Sequence, residues 1–457
     1  MSIVSLQIGQ CGNQLGAELF NTVYDDCLNQ QSTICSPLEL AYVNDSLSTF
    51  FHECSDGSFE ARCVQVDMEE KAINRLRRAC RRRAGWKYAK GSSYTAKCGS
   101  GNNWAFGFFT HGQRIECKLE GKLRRQLERC DALDGVLATM SLAGGTVSAP
   151  LHFRSVPDIL PKVPVLSQLV WPYRRGEVSV QAYNAILTLG CLLSSNTSGH
   201  LDAFLMHHND LLHSICAARL GASNPNPVHS SSGAVLRRRL SSLLVDVSGH
   251  PDYRLVQVRC LPYFGPECRD FATETWAQLA RHGRQMLLTG SCSEDKLDWS
   301  LTSTGTNATE RLKQSRLPLL ACSAVLRGPE SEAQCSDPGM LWNQLTHGLF
   351  DPNRKLLYTP RVHFHARSFL GYPRSLFIAS NGGGTRPGIE AAHPEHCGDY
   401  ADTSSSLRYA LNRAWDMFAS KAYLHQYKRY GLSVELMMDC FANVEQTAHC
   451  YSNLTWT

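Results

Sequence analysis

An apolar run, Gly135-Val136-Leu137-Ala138-Thr139-Met140, leads directly into Ala143-Gly144-Gly145-Thr146-Val147-Ser148-Ala149. A strand that ends in paired glycines and hydroxyl residues leaves main-chain N–H groups pointing outward with no Cβ in the way, which makes a surface for phosphate. The chain has no GxxxxGK[ST], so this is not a P-loop. It has no GxGxxG, so it is not a dinucleotide fingerprint. A second strand-to-helix turn stands at the N-terminus. Ile3 to Ile8 is apolar and breaks at Gly9-Gln10-Cys11-Gly12-Asn13-Gln14-Leu15-Gly16, after which Leu15, Leu19 and Val23 recur at roughly helical spacing. A helix N-terminus at a sheet edge favours an anion.

The string GQCGNQ resembles the first nucleotide loop of the tubulins, and further matches follow in order. Val66-Asp67-Met68-Glu69 resembles the second loop, Gly99-Ser100-Gly101-Asn102-Asn103-Trp104-Ala105 the third and Ala143 to Ala149 the fourth. Trp171-Pro172-Tyr173 through Tyr183-Asn184 is similar to the ribose loop and its helix, and His208-Asn209-Asp210 falls where an asparagine reads the guanine edge. The delta branch of the family is favoured by Ala414-Trp415-Asp416-Met417-Phe418 through Tyr427, by the Trp-Pro-Tyr and Ala-Gly-Gly-Thr spellings, and by Arg284-Gln285-Met286-Leu287. The resemblance is good over residues 1 to about 290 and 405 to 457 and thin between.

It implies GTP and Mg²⁺ as ligands. The main chain from Ala143 and Gly144 through Gly145, Thr146, Val147 and Ser148 would cradle phosphates, with Gln10 and Cys11 lying along the nucleotide. Asn102 and Ser141 would donate side-chain hydrogen bonds, Asn209 would bond guanine, and Glu69 would act through Mg²⁺, a hard cation suited to oxygen ligands. It also implies other tubulins, microtubules and centriolar proteins as partners, and a cytoplasmic, cytoskeletal place at centrosome, centriole and cilium basal body.

The spelling departs from the family where chemistry would take place. Val147 and Ala149 stand where two glycines are usual, and Pro150 removes an N–H and restrains Ala149. Gly233 replaces a second guanine-reading asparagine, and His229 falls where an aromatic would stack. The stretch Leu240 to His250, matching the loop that supplies a hydrolytic acid to a neighbour, looks shortened and holds only Asp246. General-base chemistry needs a carboxylate within reach of water, so no catalytic residue is assigned.

Periodicity predicts a mostly parallel sheet flanked by helices, and the resemblance implies a tubulin-like α/β chain in three parts. Residues 1–245 form a Rossmann-like nucleotide-binding domain with a parallel sheet and a core helix marked by Val235, Leu236, Leu240, Leu243 and Leu244. Residues 246–400 form an α+β intermediate domain with strands at Arg254–Val258 and Arg374–Ala379, and 380–405 reads as a loop. Residues 401–457 form a helical region, with Ala410, Ala414, Met417 and Phe418 on one face.

Composition excludes other classes. Hydrophobic residues make up 43% and charged ones 19% of the 457, as in an ordinary globular protein. No apolar run approaches a membrane span, and the first residues lack a secretory pattern. The cysteines are scattered without CxxC pairs and read as reduced thiols. The formal charge is +5, the chain ends without an acidic tail, and tail-directed motors are expected to have nothing to grip. Arg75, Arg77, Arg78, Arg81, Arg82 and Arg83 read either as a solvated helix face or as a contact for an acidic surface. No stacking aromatics interleave, so nucleic acid is not an expected partner.

Overall fold

The computed structural model describes residues 1–28, 37–145 except 84 and 97, 159–194 except 161, 175 and 177, 202–218, 240–262 except 249, 275–294 except 293, 318–328, 338–347, 361–382 except 366, 370 and 371, and 403–454. The chain divides into two units. The first comprises Met1–Phe204, Arg237–Ser241 and Tyr409–Glu445. The second comprises Leu205–Leu236, Ser242–Arg408 and Gln446–Thr457.

The first unit is built on the predicted parallel sheet. Strands β1 (Ser2–Ile8), β4 (Cys63–Asp67), β6 (Ser93–Thr95), β7 (Leu133–Ser141) and β8 (Val165–Trp171) lie in the order β8-β7-β1-β4-β6. Every pairing between them is parallel. β1, β4 and β8 are buried along their whole length, as a sheet covered on both faces requires. A small second sheet of β2 (Phe51–Glu53), β3 (Phe59–Ala61) and β5 (Trp86–Tyr88) packs its rings with Phe20, whose centroid lies 5.4 Å from both Phe51 and Trp86.

Helices α1 (Gly9–Leu28), α2 (Pro37–Phe50), α3 (Glu70–Arg83) and α4 (Gln113–Leu127) connect these strands, with a π-helical turn at Phe106–Gly112 before α4. Helix α5 (Gln181–Ser194) is buried from Gln181 to Leu193 without a charged residue. The part of the C-terminal region in this unit packs beside it. Phe441 lies 6.4 Å from the Tyr183 ring, and a Cβ on Gly190 would run into the Cys440 backbone. Such close helix approach explains a glycine in the middle of a buried helix.

The second unit carries α6 (Asn209–Ala218), α7 (Leu240–Val247, from Ser242 onward), α8 (Trp276–Thr289) and α9 (Pro338–Thr346). Its sheet is mixed. β10 (Leu255–Leu261) and β11 (Leu319–Arg327) flank β13 (Ser375–Gly382) antiparallel, and β12 (Arg361–His365) pairs parallel with β11. Strand β9 (Asp202–His208) passes from the first unit into the second at Leu205. The core under α8 joins Trp276, Leu279, Met286, Leu326 and Ile378. Thr275 caps α8 in a reciprocal capping box with Gln278. Helices α10 (Thr403–Ala419), α11 (Leu424–Lys428) and α12 (Val434–Ser452) complete the chain.

Two local readings change. The Leu240–His250 stretch matched to a family loop is helical over Leu240–Val247, as the expected core helix with Leu240, Leu243 and Leu244 implies: these residues and Val247 are buried on one face, and Asp134 accepts from the Leu240 N–H and, at 2.9 Å, from the Ser241 hydroxyl at its start. β13 also runs on through Asn381 to Gly382 instead of ending at Ala379, and α10 begins at Thr403, inside the stretch read as loop. Asn381 is buried, donating to the carbonyls of Val247 at 2.8 Å and Tyr253 at 2.6 Å and accepting from the Tyr451 hydroxyl at 2.8 Å. A buried asparagine with such partners is structural, whatever the local composition implies. Residues 383–402 lie outside the described residues.

Candidate functional site

Parallel pairing fixes where the motif loops go. Ile8 pairs with Val66, Gln7 with Thr139 and Ser141 with Val170, so β1, β4, β7 and β8 end along one edge. The loops after them emerge together at the carboxyl edge, where open α/β sheets take their ligands.

The first loop is sharp. Gly9 sits at φ +71°, a left-handed conformation glycine adopts freely, and α1 begins at that residue. Gln10 is exposed at the first turn and Cys11 is half-buried. Burial pushes the Cys11 thiol up to about 11, so it is a neutral thiol at ordinary pH. Asn13 donates to the carbonyls of Gly9 at 2.8 Å and Val66 at 3.0 Å, tying the first loop to the end of β4. The Asn13 Oδ1 is buried without a hydrogen-bond partner among the described residues.

At the second loop Asp67 is buried and Glu69 is exposed. Asp67 Oδ1 accepts from the Glu69 N–H at 3.1 Å, while its Oδ2 has no hydrogen-bond partner among the described residues. Burial raises the Asp67 carboxyl above its ordinary value. The Glu69 carboxylate faces the third loop, 3.8 Å from the position a Cβ would take on Gly99.

In the third loop Asn102 is held at φ 54°, beside Gly101 at φ +59°. Asparagine tolerates this left-handed region better than most residues, yet the conformation is costly enough to mark a constrained turn. Asn103 is buried and caps the following turn by accepting from the Phe106 N–H at 3.0 Å. The fourth loop comes close to this turn. Ser141 Oγ accepts from the Ala143 N–H at 3.3 Å. The Asn102 side chain lies 3.9 Å from the Cβ position of Gly144, whereas a Cβ on Gly145 would meet Asn103 N, Asn103 O and Ser100 Oγ at 2.7 Å each. Only glycine fits at 145 with the loops as they stand. The remaining phosphate-loop positions, Thr146, Val147 and Ser148, lie outside the described residues, as do Pro150, His229 and Gly233.

A residue read only as part of the ribose-loop helix organises this edge. Asn184 on α5 is fully buried. Its amide donates to the Asn102 carbonyl at 2.8 Å and the Ala143 carbonyl at 3.0 Å. Its Oδ1 accepts from the Trp104 N–H at 3.2 Å and the Tyr427 hydroxyl at 2.6 Å. One side chain thus joins the third loop, the fourth loop and the C-terminal helices. The available signal was an asparagine inside an otherwise apolar helix, since such a residue must find partners.

The structure therefore brings Asn102, Ser141, Ala143, Gly144 and Gly145 together, and sets Gln10, Cys11 and Glu69 on neighbouring loops of the same edge. Asn209 stands at the first position of α6, in the second unit. Asp246 also belongs to that unit and is buried, 5% exposed.

A parallel sheet whose loops meet at its carboxyl edge over a glycine-lined turn defines a nucleotide-site type of α/β domain. The comparisons with known proteins give this class its family. Residues 2–217 match the Tubulin/FtsZ family, GTPase domain. The chain is 33% identical to the tubulin delta chain of Canis lupus familiaris over 489 residues, spanning 99% of this chain and 100% of that one. It is 33% identical to the tubulin delta chain of Homo sapiens over 494 residues, with the same coverage. A tubulin beta chain of Trichophyton rubrum is 29% identical over 269 residues, 57% of this chain and 58% of that one. The chain belongs to the tubulin family.

Proposed function

We propose that this chain is a GTP-binding structural subunit of the delta type, acting at centrioles and basal bodies to support triplet microtubules and cilium or flagellum formation. The observation that carries the reading is the Asn184 junction, which locks the loop assigned to the phosphates to the loop of Asn102. The donor set fits a magnesium nucleotide. Gly145 lets the fourth loop pack directly against the third, the Cβ position of Gly144 meets nothing closer than Asn102 at 3.9 Å, and Asp67 holds a buried carboxylate oxygen without a hydrogen-bond partner among the described residues, beside the exposed Glu69. Ala143 through Ser148 would hold phosphate, Gln10, Cys11, Asn102 and Ser141 would line the nucleotide, and Asn209 would read guanine. Mg²⁺, placed by Glu69, would neutralise the phosphates. Partners in this reading are other tubulins, microtubules and centriolar proteins. Among the described residues no helix is long and apolar enough to cross a membrane.

The reading is one of nucleotide-stabilised assembly rather than turnover, for Asp246 is buried on a helix and no general base is assigned. A thermal-shift titration tests it. A ligand that binds only the folded state raises the melting temperature with its concentration, so Mg²⁺·GTP should do so and Mg²⁺·ATP should not.

A second reading, a tubulin-fold interaction protein without nucleotide, is favoured by Val147 and Ala149 in place of glycines. It requires no shift with either nucleotide.

A further inference from the structure

Helix α3 carries a row of cations that the fold does not use. Lys71, Arg75, Arg78 and Arg82 are exposed and follow one another at steps of four, three and four residues, which places them on one helical face over about 16 Å. Among the described residues none of them forms an ion pair or side-chain hydrogen bond. Arg77 is different. It is half-buried and donates to Gln65 Oε1 at 2.8 Å and Ser92 Oγ at 2.9 Å, so it is part of the packing. Like charges three and four residues apart weaken a helix by about 0.2–0.5 kcal/mol per pair, and a solvated face has no need of an unbroken row.

A second group of cations stands near Arg77. Lys122 on α4 donates to the Gly91 carbonyl at 2.7 Å, and Arg125 Nη1 stands 4.0 Å from the Cβ position of that glycine. Lys90 is exposed in the same turn. Burial, Arg125 and Arg77 together hold the Lys122 ammonium below its ordinary value, as expected where cations crowd. None of the acids nearby forms an ion pair with the row among the described residues. Glu120 is paired with Arg124 at 2.8 Å, and Glu70 accepts from Asn74 at 3.3 Å. The aromatic residues nearest in sequence, Trp86 and Tyr88, are buried, so the surface offers no stacking platform for bases.

We propose that the Lys71–Arg75–Arg78–Arg82 face is a docking surface for an acidic polypeptide segment rich in Glu or Asp. Carboxylates along an extended chain meet successive cations of the row. The assignment rests on charge complementarity and is independent of the nucleotide site.

The test uses the full chain and a fluorescent oligo-glutamate peptide, read by anisotropy, with a DNA duplex of matched charge as the comparison probe. The wild type should bind the peptide at low salt and lose about tenfold or more in affinity by about 0.5 M sodium chloride. R75Q/R78Q/R82Q should bind about tenfold more weakly at low salt, and R408Q/R413Q, which changes exposed arginines elsewhere, should bind like wild type. The melting temperature of the triple variant should stay level or rise, because like charges leave one face. Undiminished peptide binding by the triple variant, no binding by wild type, or tighter binding of the duplex than of the peptide overturns the proposal.

Discussion

The Tyr427 hydroxyl donates to Asn184 Oδ1 at 2.6 Å in a fully buried setting, so a residue of the C-terminal helices completes the hydrogen bonding of the side chain that joins two loops of the site. Burial pushes the Tyr427 phenol far above its ordinary value, so it remains a donor throughout the accessible pH range. Its bonds to the Trp104 N–H and the Tyr427 hydroxyl satisfy buried groups, and those to the Asn102 and Ala143 carbonyls are partly buried.

Asn184→Ala should therefore cost about 3 kcal/mol or more, since each stranded buried group costs about 1–3 kcal/mol. Tyr427→Phe, which removes one donor, should cost about 1 kcal/mol. Urea denaturation measures both. Equal losses would mean that Asn184 does not hold the loops.

The two glycines of the fourth loop should respond differently. Gly145→Ala drives a Cβ to 2.7 Å from Asn103 and Ser100 and should destabilise by about 1–3 kcal/mol and abolish any nucleotide-induced shift. At Gly144 the nearest atom is 3.9 Å away, an ordinary contact, so Gly144→Ala should be nearly silent in thermal melting. Similar behaviour of the pair would contradict the close approach of these loops.

Much of this arrangement is legible in the sequence. The strand-glycine-helix turn at Gly9 and the paired glycines that end an apolar strand at Gly144 announce a parallel sheet and its carboxyl edge. What escapes is long-range polar pairing. Nothing local says that Asn184 will meet Tyr427, or that Asn381, in a glycine- and serine-rich stretch, will be buried against Val247, Tyr253 and Tyr451. The arginine-rich helix shows the same limit, since spacing reveals the row while only tertiary packing separates Arg77 from its neighbours. At Leu240–Val247 the leucine spacing that predicts a core helix holds, and it is the match of the same stretch to a family loop that fails.

Asp67 gives a pH signature. Its folded carboxyl is raised by burial, so the folded state holds the proton more tightly than the unfolded chain. The resulting penalty is absent below the unfolded value near ~3.9 and complete once pH exceeds the raised folded value. Asp67→Asn should therefore stabilise the apo protein at neutral pH, with the gain disappearing toward pH ~3 in a denaturation series. If Asp67 faces the magnesium nucleotide, the same variant should gain less from Mg²⁺·GTP than wild type.

His207, buried in β9 with its Nε2 unpartnered among the described residues, titrates the other way. Burial lowers it to about 4. Between that value and the unfolded ~6.5 the unfolded chain binds the extra proton, so stability falls as pH drops through this window, by about 3 kcal/mol at its end. His207→Gln should flatten that part of the curve in urea titrations at a series of pH values. An unchanged slope would place the proton elsewhere.

The central claim is that the loops joined through Asn184 hold a guanine nucleotide. Protein purified under native conditions, denatured and analysed by ion-exchange chromatography, should release about one guanine nucleotide per chain, as a one-site complex requires. Release of none, together with no Mg²⁺-dependent uptake of GTP by the emptied protein, would contradict the account.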